Sequence, residues 1–410
     1  MSTYKKYMLP IQKKKLAIVM GICVIAGSLS ACGDDTSVTI EPVSFQELEE
    51  PLGGKTEGLE ENEKSDVTDV SLSTEDKQSM ESTEEASTEQ QPDKISITIS
   101  AAGDVTLGNY LTQDYAWSFR QTYEQEQNDA YFFENVYPIF SVDDMTIVNL
   151  EGPLTDSEDA REGQYVIKGD PEYVNILTEG SVEAVSFGNN HRLDYKEQGT
   201  RDTVQALEGA GIAYAYDSNI GIYEVKGIRI GFVSVNEIAW GEGVEKFLQE
   251  GIAGLKEEGT DLILACCHWG TEREFYPEEY QQSLGRKCID WGADLVIGHH
   301  PHVLQGIEEY QGKYIIYSLG NFCFGANRNP ADKDTMIFQQ TFTFVDGERI
   351  GETEVKVIPC SVSSVTSRND YRPTPAKDEE AVRIINRINE YSKDFGVEFD
   401  ENGVSKIETN

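Results

Sequence analysis

The sequence predicts an α/β domain built on a mixed sheet, or on two stacked sheets, flanked by helices. Three observations predict it. Apolar strand-like runs alternate with amphipathic helix-like stretches from about residue 95 to the end. Two hairpin-like pairs interrupt that alternation, which an all-parallel sheet would not contain. The apolar runs also end in Asp, Glu, Asn or His, and strand C-terminal ends are where open α/β sheets bind ligands.

Ile95-Ser96-Ile97-Thr98-Ile99 alternates strictly and reads as the first strand. Thr146 to Leu150 is a second apolar run. Asp202 to Glu208, after Thr200, reads as a helix stopped by Gly209 and Gly211. Gly221 to Val225 and Ile228 to Val235 flank Lys226-Gly227 as a hairpin. Phe247 to Glu258 is helical, and Asp261 to His268 is a buried strand. Pro277 starts a helix with Tyr280, Leu284, Cys288 and Trp291 along one side, ended by Gly292. Strands follow to Ile297 and from Tyr314 to Tyr317. Met336 to Val345 and Gly351 to Ile358 form a second antiparallel pair. After Pro373 and Pro375, an amphipathic helix carries Ala381, Ile384, Ile385 and Ile388 and is expected to pack on the domain's edge. The expected organisation is a domain over 95–365 with a C-terminal helical extension over 366–410.

The first 32 residues read as a secretory signal. Lys5, Lys6 and Lys13 to Lys15 are basic, Leu16 to Gly27 is apolar but too short to span a bilayer comfortably, and small residues follow. Leu29-Ser30-Ala31-Cys32 resembles a bacterial lipobox. That resemblance implies cleavage before Cys32, a lipid on its thiol, and an extracytoplasmic, membrane-anchored protein. Residues 33–94 are rich in Glu, Ser, Thr, Asp and Gln with few aromatics, a composition expected to stay disordered and act as a tether.

The formal charge of −39 becomes −44 without the five signal lysines. So acidic a chain is a poor partner for nucleic acid. Of seven cysteines, Cys266, Cys267, Cys288, Cys323 and Cys360 lie beyond the N-terminal region; an odd count without regular spacing is not a disulfide framework. Adjacent Cys266 and Cys267 should face opposite sides of a strand as buried thiols. The chain has no Cys-x-x-Cys for a thiolate zinc site and no Gly-x-Ser-x-Gly nucleophile elbow.

The candidate chemistry lies at the run ends. Asp104 follows Gly103, where a turning backbone would favour glycine; alone, it reads as an Asx-turn rather than a ligand. Glu151 could cap a helix or bridge two cations. Asn190 offers a neutral amide oxygen, His191 beside it a proton donor, and Asp194 an orienting carboxylate. In His300-Pro301-His302, an extended backbone would turn His300 and His302 to one side and His299 away. His268 opens His268-Trp269-Gly270-Thr271-Glu272, with Glu272 able to contact either a cation or its ligands. Together these motifs account for all five histidines, the ligand set of a divalent-metal hydrolase.

Six motifs in order carry a family resemblance. Gly103-Asp104-Val105-Thr106-Leu107-Gly108, Asn149-Leu150-Glu151, Asn189-Asn190-His191-Arg192-Leu193-Asp194-Tyr195, His268-Trp269-Gly270-Thr271-Glu272, Gly298-His299-His300-Pro301-His302-Val303-Leu304-Gln305 and Tyr317-Ser318-Leu319-Gly320-Asn321-Phe322 resemble the bacterial CapA family of capsule and poly-γ-glutamate biosynthesis proteins. That family is similar to calcineurin-like metallophosphoesterases. The resemblance implies a four-layer α/β/β/α sandwich with two divalent cations (Mn, Fe or Zn). It makes Asp104, Glu151, Asn190, His268, His300 and His302 ligands and His191, with Asp194, the general acid. Asn189, Glu272 and Asn321 stand as supporting or substrate-contacting residues. The chain departs from the wider pattern at Asp104-Val105-Thr106, where Asp-x-His is usual, and at Glu151, where an Asp is usual. Two functions follow as expectations. One is a metal-dependent hydrolase-like protein acting on an anionic polymer. The other is a non-catalytic scaffold of a membrane-bound poly-γ-glutamate synthase or exporter.

Overall fold

The computed structural model describes residues 93–351 and 354–406. Cys32, the signal and most of the expected tether lie outside them. Two sheets make the framework. The nine-stranded sheet runs, in order, Thr374–Pro375, Glu354–Ser361, Asp334–Val345, Lys94–Thr106, Met145–Leu150, Ala184–Ser186 and Ala213–Ala215; Asn321–Phe324 and Glu348–Arg349 pair beside this path. The six-stranded sheet runs Ile307–Tyr310, Lys313–Ile316, Leu295–His299, Leu262–His268, Ile228–Asn236 and Gly221–Val225.

The residue pattern explains the stacking. Ile97, Ile99 and Ala101 sit on one face of the first strand and pack with Ile230, Phe232, Leu264, Cys266 and Ile297 of the other sheet. The far face of the nine-stranded sheet carries Val148, Val185 and Ile337 and is covered by helices that contribute Phe119, Ile176 and Leu207. The far face of the six-stranded sheet carries Val233, Ala265, Cys267 and Val296 and is covered by Val244–Glu257 and Glu279–Trp291, through Leu248, Ile252, Leu284 and Cys288. The result is helix, sheet, sheet, helix: the four layers implied by the resemblance. Cys266 and Cys267 do face opposite layers, and the five cysteines among the described residues are free and buried. The C-terminal helix, Asp378–Ser392, buries Ile384, Ile385 and Ile388 in the inter-sheet core.

Some element boundaries differ from the sequence expectation. The helix expected over Asp202 to Glu208 is Lys196–Ala210. Its first turn has no side-chain cap, and Gly199, pressed against Tyr195 and Pro153, sits where a helix former would be expected. Gly209 lies inside this helix; Gly211, at φ 73, ends it in the left-handed region. The first strand is longer than its alternating stretch, reaching Thr106, because its last residues are buried on both faces.

Candidate functional site

A change of register builds the site. Along the first strand, Ile97, Ile99 and Ala101 face the second sheet, yet Val105 faces the outer helices. The alternation therefore switches phase between Ala101 and Asp104, where the pairing with Met145–Leu150 also shifts register. A bulge of this kind re-aims side chains. Asp104, which unbroken alternation would turn toward the helices, is instead turned toward the second sheet. Gly103 permits this by closeness, not by a sharp turn: a Cβ there would lie 2.0 Å from the Gly320 carbonyl oxygen. The Asp104 N–H donates to that same carbonyl at 2.9 Å.

Each remaining side chain comes from the end of a neighbouring strand. Glu151 follows Met145–Leu150, and both its oxygens are buried. His268 and His299 are register partners at the ends of their strands. His302 Nδ1 comes within 3.0 Å of Asp104 Oδ2, outside hydrogen-bonding geometry, and its Nε2 lies 3.6 Å from Glu151 Oε1. The donor atoms of Asp104, Glu151 and His302 lie within 4.8 Å of one another. Asn190 Oδ1 and His268 Nε2 are 3.0 Å apart, and the His300 ring centroid is 4.7 Å from that of His268. His191 Nε2 is 3.8 Å from Glu151 Oε1, while its Nδ1 meets Asp194 Oδ2 at 2.8 Å. Asp194 is itself pinned by the Ile167 N–H and by Arg161 Nε, each at 2.6 Å.

The His300-Pro301-His302 segment is not extended. His300 has φ 95 and His302 φ 57. Both residues occupy the left-handed side of the map, which non-glycine residues adopt at a cost. The expectation that His299 points away is also overturned. His299 is the last residue of its strand, and its Nδ1 lies 3.4 Å from Asp104 Oδ1. The tight turn brings all three histidines of this segment toward the cluster, because residue parity applies only to extended chain.

Asn149 is a residue whose role the sequence did not suggest. Its amide donates to Asp104 Oδ1 at 2.9 Å, lies 3.4 Å from His268 Nδ1, and accepts from Asn189 Nδ2 at 3.2 Å. Its position at a strand end just before Glu151 was the available signal. Arg161, which holds Asp194, left none. Asn189 also donates to the Leu150 carbonyl, and Asn321 donates to the His302 carbonyl at 3.1 Å, so both shape the loops that carry the cluster. Glu272 is exposed and acts on Glu151 and His302 only through its charge.

The electrostatics suit a cation. Of the ten buried side-chain polar atoms without a hydrogen-bond partner among the described residues, eight belong to Asp104, Thr106, Glu151, His299, His300, His302 and Asn321. Native proteins rarely leave such atoms unpaired, and here they concentrate in one place. Burial pushes the Glu151 carboxyl up, with the Asp104 charge adding to it. Burial acts on Asp104 the same way, but His299 and His302 outweigh it and hold that carboxyl well below its usual range. Burial lowers His268 far below its usual value and His300 to about 3, so both are neutral, the form that binds metals. Burial also opposes charge on His302, but Glu151 and Asp104 raise it to about 9. A cation arriving there must displace that proton. Mixed carboxylate oxygens, imidazole nitrogens and an amide oxygen fit a divalent first-row metal better than a soft one.

Comparison with known proteins places this cluster in a family context. Residues 98–326 match a family model described as bacterial capsule synthesis protein PGA_cap. The chain is 27% identical over 319 residues to the PGA biosynthesis protein CapA of Bacillus subtilis (strain 168), covering 73% of this chain and 78% of that protein. It is 28% identical over 255 residues to the capsule biosynthesis protein CapA of Bacillus anthracis, covering 56% of this chain and 60% of that protein. A protein of Mycobacterium tuberculosis (strain CDC 1551 / Oshkosh), described as a probable polyglutamine synthesis accessory protein, is 26% identical over 208 residues, covering 43% and 55%.

Proposed function

Because the chain belongs to the bacterial capsule synthesis family PGA_cap, we propose that it is a cation-dependent, hydrolase-like protein of the cell surface that acts in forming poly-γ-glutamate or a capsule polymer. The observation that carries this reading is the concentration of unpartnered, buried carboxylate and imidazole atoms at the strand ends. Asp104, Glu151 and His302 would hold one cation, and Asn190, His268 and His300 would serve a second. A divalent cation there supplies Lewis-acid polarisation of a substrate carbonyl or phosphoryl oxygen.

The chain's own residues supply the proton handling. Asp194, held by Arg161 and the Ile167 N–H, accepts from His191 Nδ1–H and fixes that tautomer. His191 Nε2 is left facing the cluster beside Glu151, where it takes or gives a proton at the reacting group. The exposed side of this reading is the membrane: a lipid on Cys32 would anchor the protein outside the cell, and a poly-γ-glutamate synthase would be its partner. The names of the relatives support the polymer, and Leu29 to Cys32 supports the anchor.

One observation favours a scaffold reading. Thr106 stands where the wider metallophosphoesterase pattern has a histidine, so one of two cations would lack an imidazole ligand. Elemental analysis of the purified chain, with a screen on phosphoesters and γ-glutamyl peptides, separates the two. Stoichiometric metal with turnover supports the enzyme; a metal-free, inactive protein that still binds a synthase supports the scaffold. Within the enzyme reading, His300→Ala loses metal, whereas His191→Ala keeps metal and loses turnover by roughly a hundredfold. Loss of metal in His191→Ala alone would refute this division of roles.

A further inference from the structure

Three loops meet beside Phe324, whose ring packs 4.9 Å from that of His302. The segment leading into the Phe119–Glu126 helix supplies Trp117, the chain after Phe324 supplies Arg328, and the chain after Glu354–Ser361 supplies Arg368. They are stitched together by hydrogen bonds. Arg328 Nη1 donates to the Ala116 carbonyl at 2.9 Å, and the Tyr371 hydroxyl donates to the Trp117 carbonyl at 2.6 Å. Asn369 Nδ2 donates to the carbonyls of Phe324 and Asn327, each at 2.9 Å, and the Asn369 N–H donates to the Arg328 carbonyl at 2.8 Å.

Two features of this corner bear on binding. Trp117 is held at φ 64 by its N–H donating to Gln121 Oε1 at 2.7 Å and its carbonyl accepting from Tyr371, and its side chain stays 59% exposed. The Arg368 guanidinium lies 4.4 Å over the Trp117 ring and makes no ion pair among the described residues, in a chain with 73 acidic and 34 basic residues. Among the described residues the only ion pair of Arg328 is with Asp114, at 3.5 Å, and that carboxylate is itself 81% exposed. The loop contacts therefore present a largely exposed indole, and stacking on it sets a guanidinium whose in-plane N–H donors have no acceptor among the described residues.

We infer that Trp117, Arg368 and Arg328 form a binding corner for the α-carboxylates of an anionic γ-glutamyl chain, each set beside two main-chain methylenes. The indole packs the methylenes, and the guanidinium groups take the carboxylate in a fork. The Phe324 ring packs on His302 and its carbonyl accepts from Asn369, the neighbour of Arg368, so one residue ties the corner to the cation cluster. The corner also gives a strongly acidic protein a local means of holding an anionic polymer. The choice of ligand rests on the capsule-polymer reading above; the binding itself needs no cation.

The test uses the full chain, treated with chelator, and a fluorescently labelled γ-linked oligoglutamate followed by anisotropy. Wild type binds, more weakly as salt rises. Arg368→Gln weakens binding about tenfold, Trp117→Ala about threefold or more, and Arg368→Lys falls between wild type and Arg368→Gln. Arg201→Gln, on the outer Lys196–Ala210 helix, leaves it unchanged. Unaltered melting temperatures confirm that these surface variants fold. Equal binding by wild type and the corner variants overturns the inference, as does binding to phosphatidylglycerol vesicles without binding to oligoglutamate. No oligoglutamate binding, in a protein that still gains stability from Mn²⁺, overturns the corner and leaves the cation reading standing.

Discussion

Glu151→Gln should have effects of opposite sign with and without a cation. Both Glu151 oxygens are buried and lack a hydrogen-bond partner among the described residues, and burial pushes the carboxyl up. In cation-free protein an ionised, unpaired carboxylate costs ~1–3 kcal/mol, partly offset by His302 at 3.6 Å. Glutamine keeps the shape and removes the charge, so the cation-free variant should gain about 1–2 kcal/mol at pH 8. At about 2–4 °C per kcal/mol for a domain of this size, that is a rise of roughly 2–8 °C in melting temperature. The pH sense follows from the direction of the shift. An acid raised in the folded state carries no penalty below its unfolded value of 4.5, and the penalty grows as pH rises. Variant and wild type should therefore converge near pH 4. With a cation at a hundred times its dissociation constant, wild type gains about 2.7 kcal/mol, whereas an amide oxygen replaces little of the lost ligand charge. Calorimetry in chelator and in Mn²⁺ reads both arms. A variant less stable than wild type in chelator, with an undiminished gain in Mn²⁺, would refute the reasoning.

Other outcomes follow from the same geometry. Asp194→Asn should keep metal but lose turnover by about a hundredfold or more, because the His191 tautomer is no longer fixed; unchanged turnover would show that His191 does not handle the proton. Burial pushes the Asp143 carboxyl up to about 7, so the stability it contributes is full below pH 3.8 and is lost as pH rises toward 7. That rise sets an upper bound of ~4 kcal/mol, reduced to about 2 by its partial exposure. Asp143→Asn should flatten the fall in melting temperature between pH 4 and 8, and an unchanged slope would count against it. Cys32→Ala should abolish labelling by a fatty-acid analogue and release the protein from the membrane fraction; equal labelling of variant and wild type would sink the lipoprotein reading.

Most strands were legible because a buried strand writes its length in apolar residues. Leu262–His268 and Leu295–His299 differ from expectation by one or two residues. The short Ala184–Ser186 and Ala213–Ala215 strands were not, since three residues carry no period. At the site, polar residues ending apolar runs gave Asp104, Glu151 and His268 directly. The turn at His300 to His302 was misread because alternation presumes extended chain, and nothing local announces a histidine at φ 95. Asn149 and Arg161 reach the site through partners distant in sequence, Asp104 at 45 positions and Asp194 at 33.

The scatter of the site along the chain has a kinetic consequence. Asp104 pairs with Asn149 and with Asn321, and the histidines it faces come from the other sheet. Closing contacts so distant in sequence is slow, and it comes after each sheet's more local pairings. The full cluster cannot exist until both sheets have docked. A bound ion would therefore act as a latch rather than a nucleus, lengthening the lifetime of the folded state while leaving the folding rate nearly untouched.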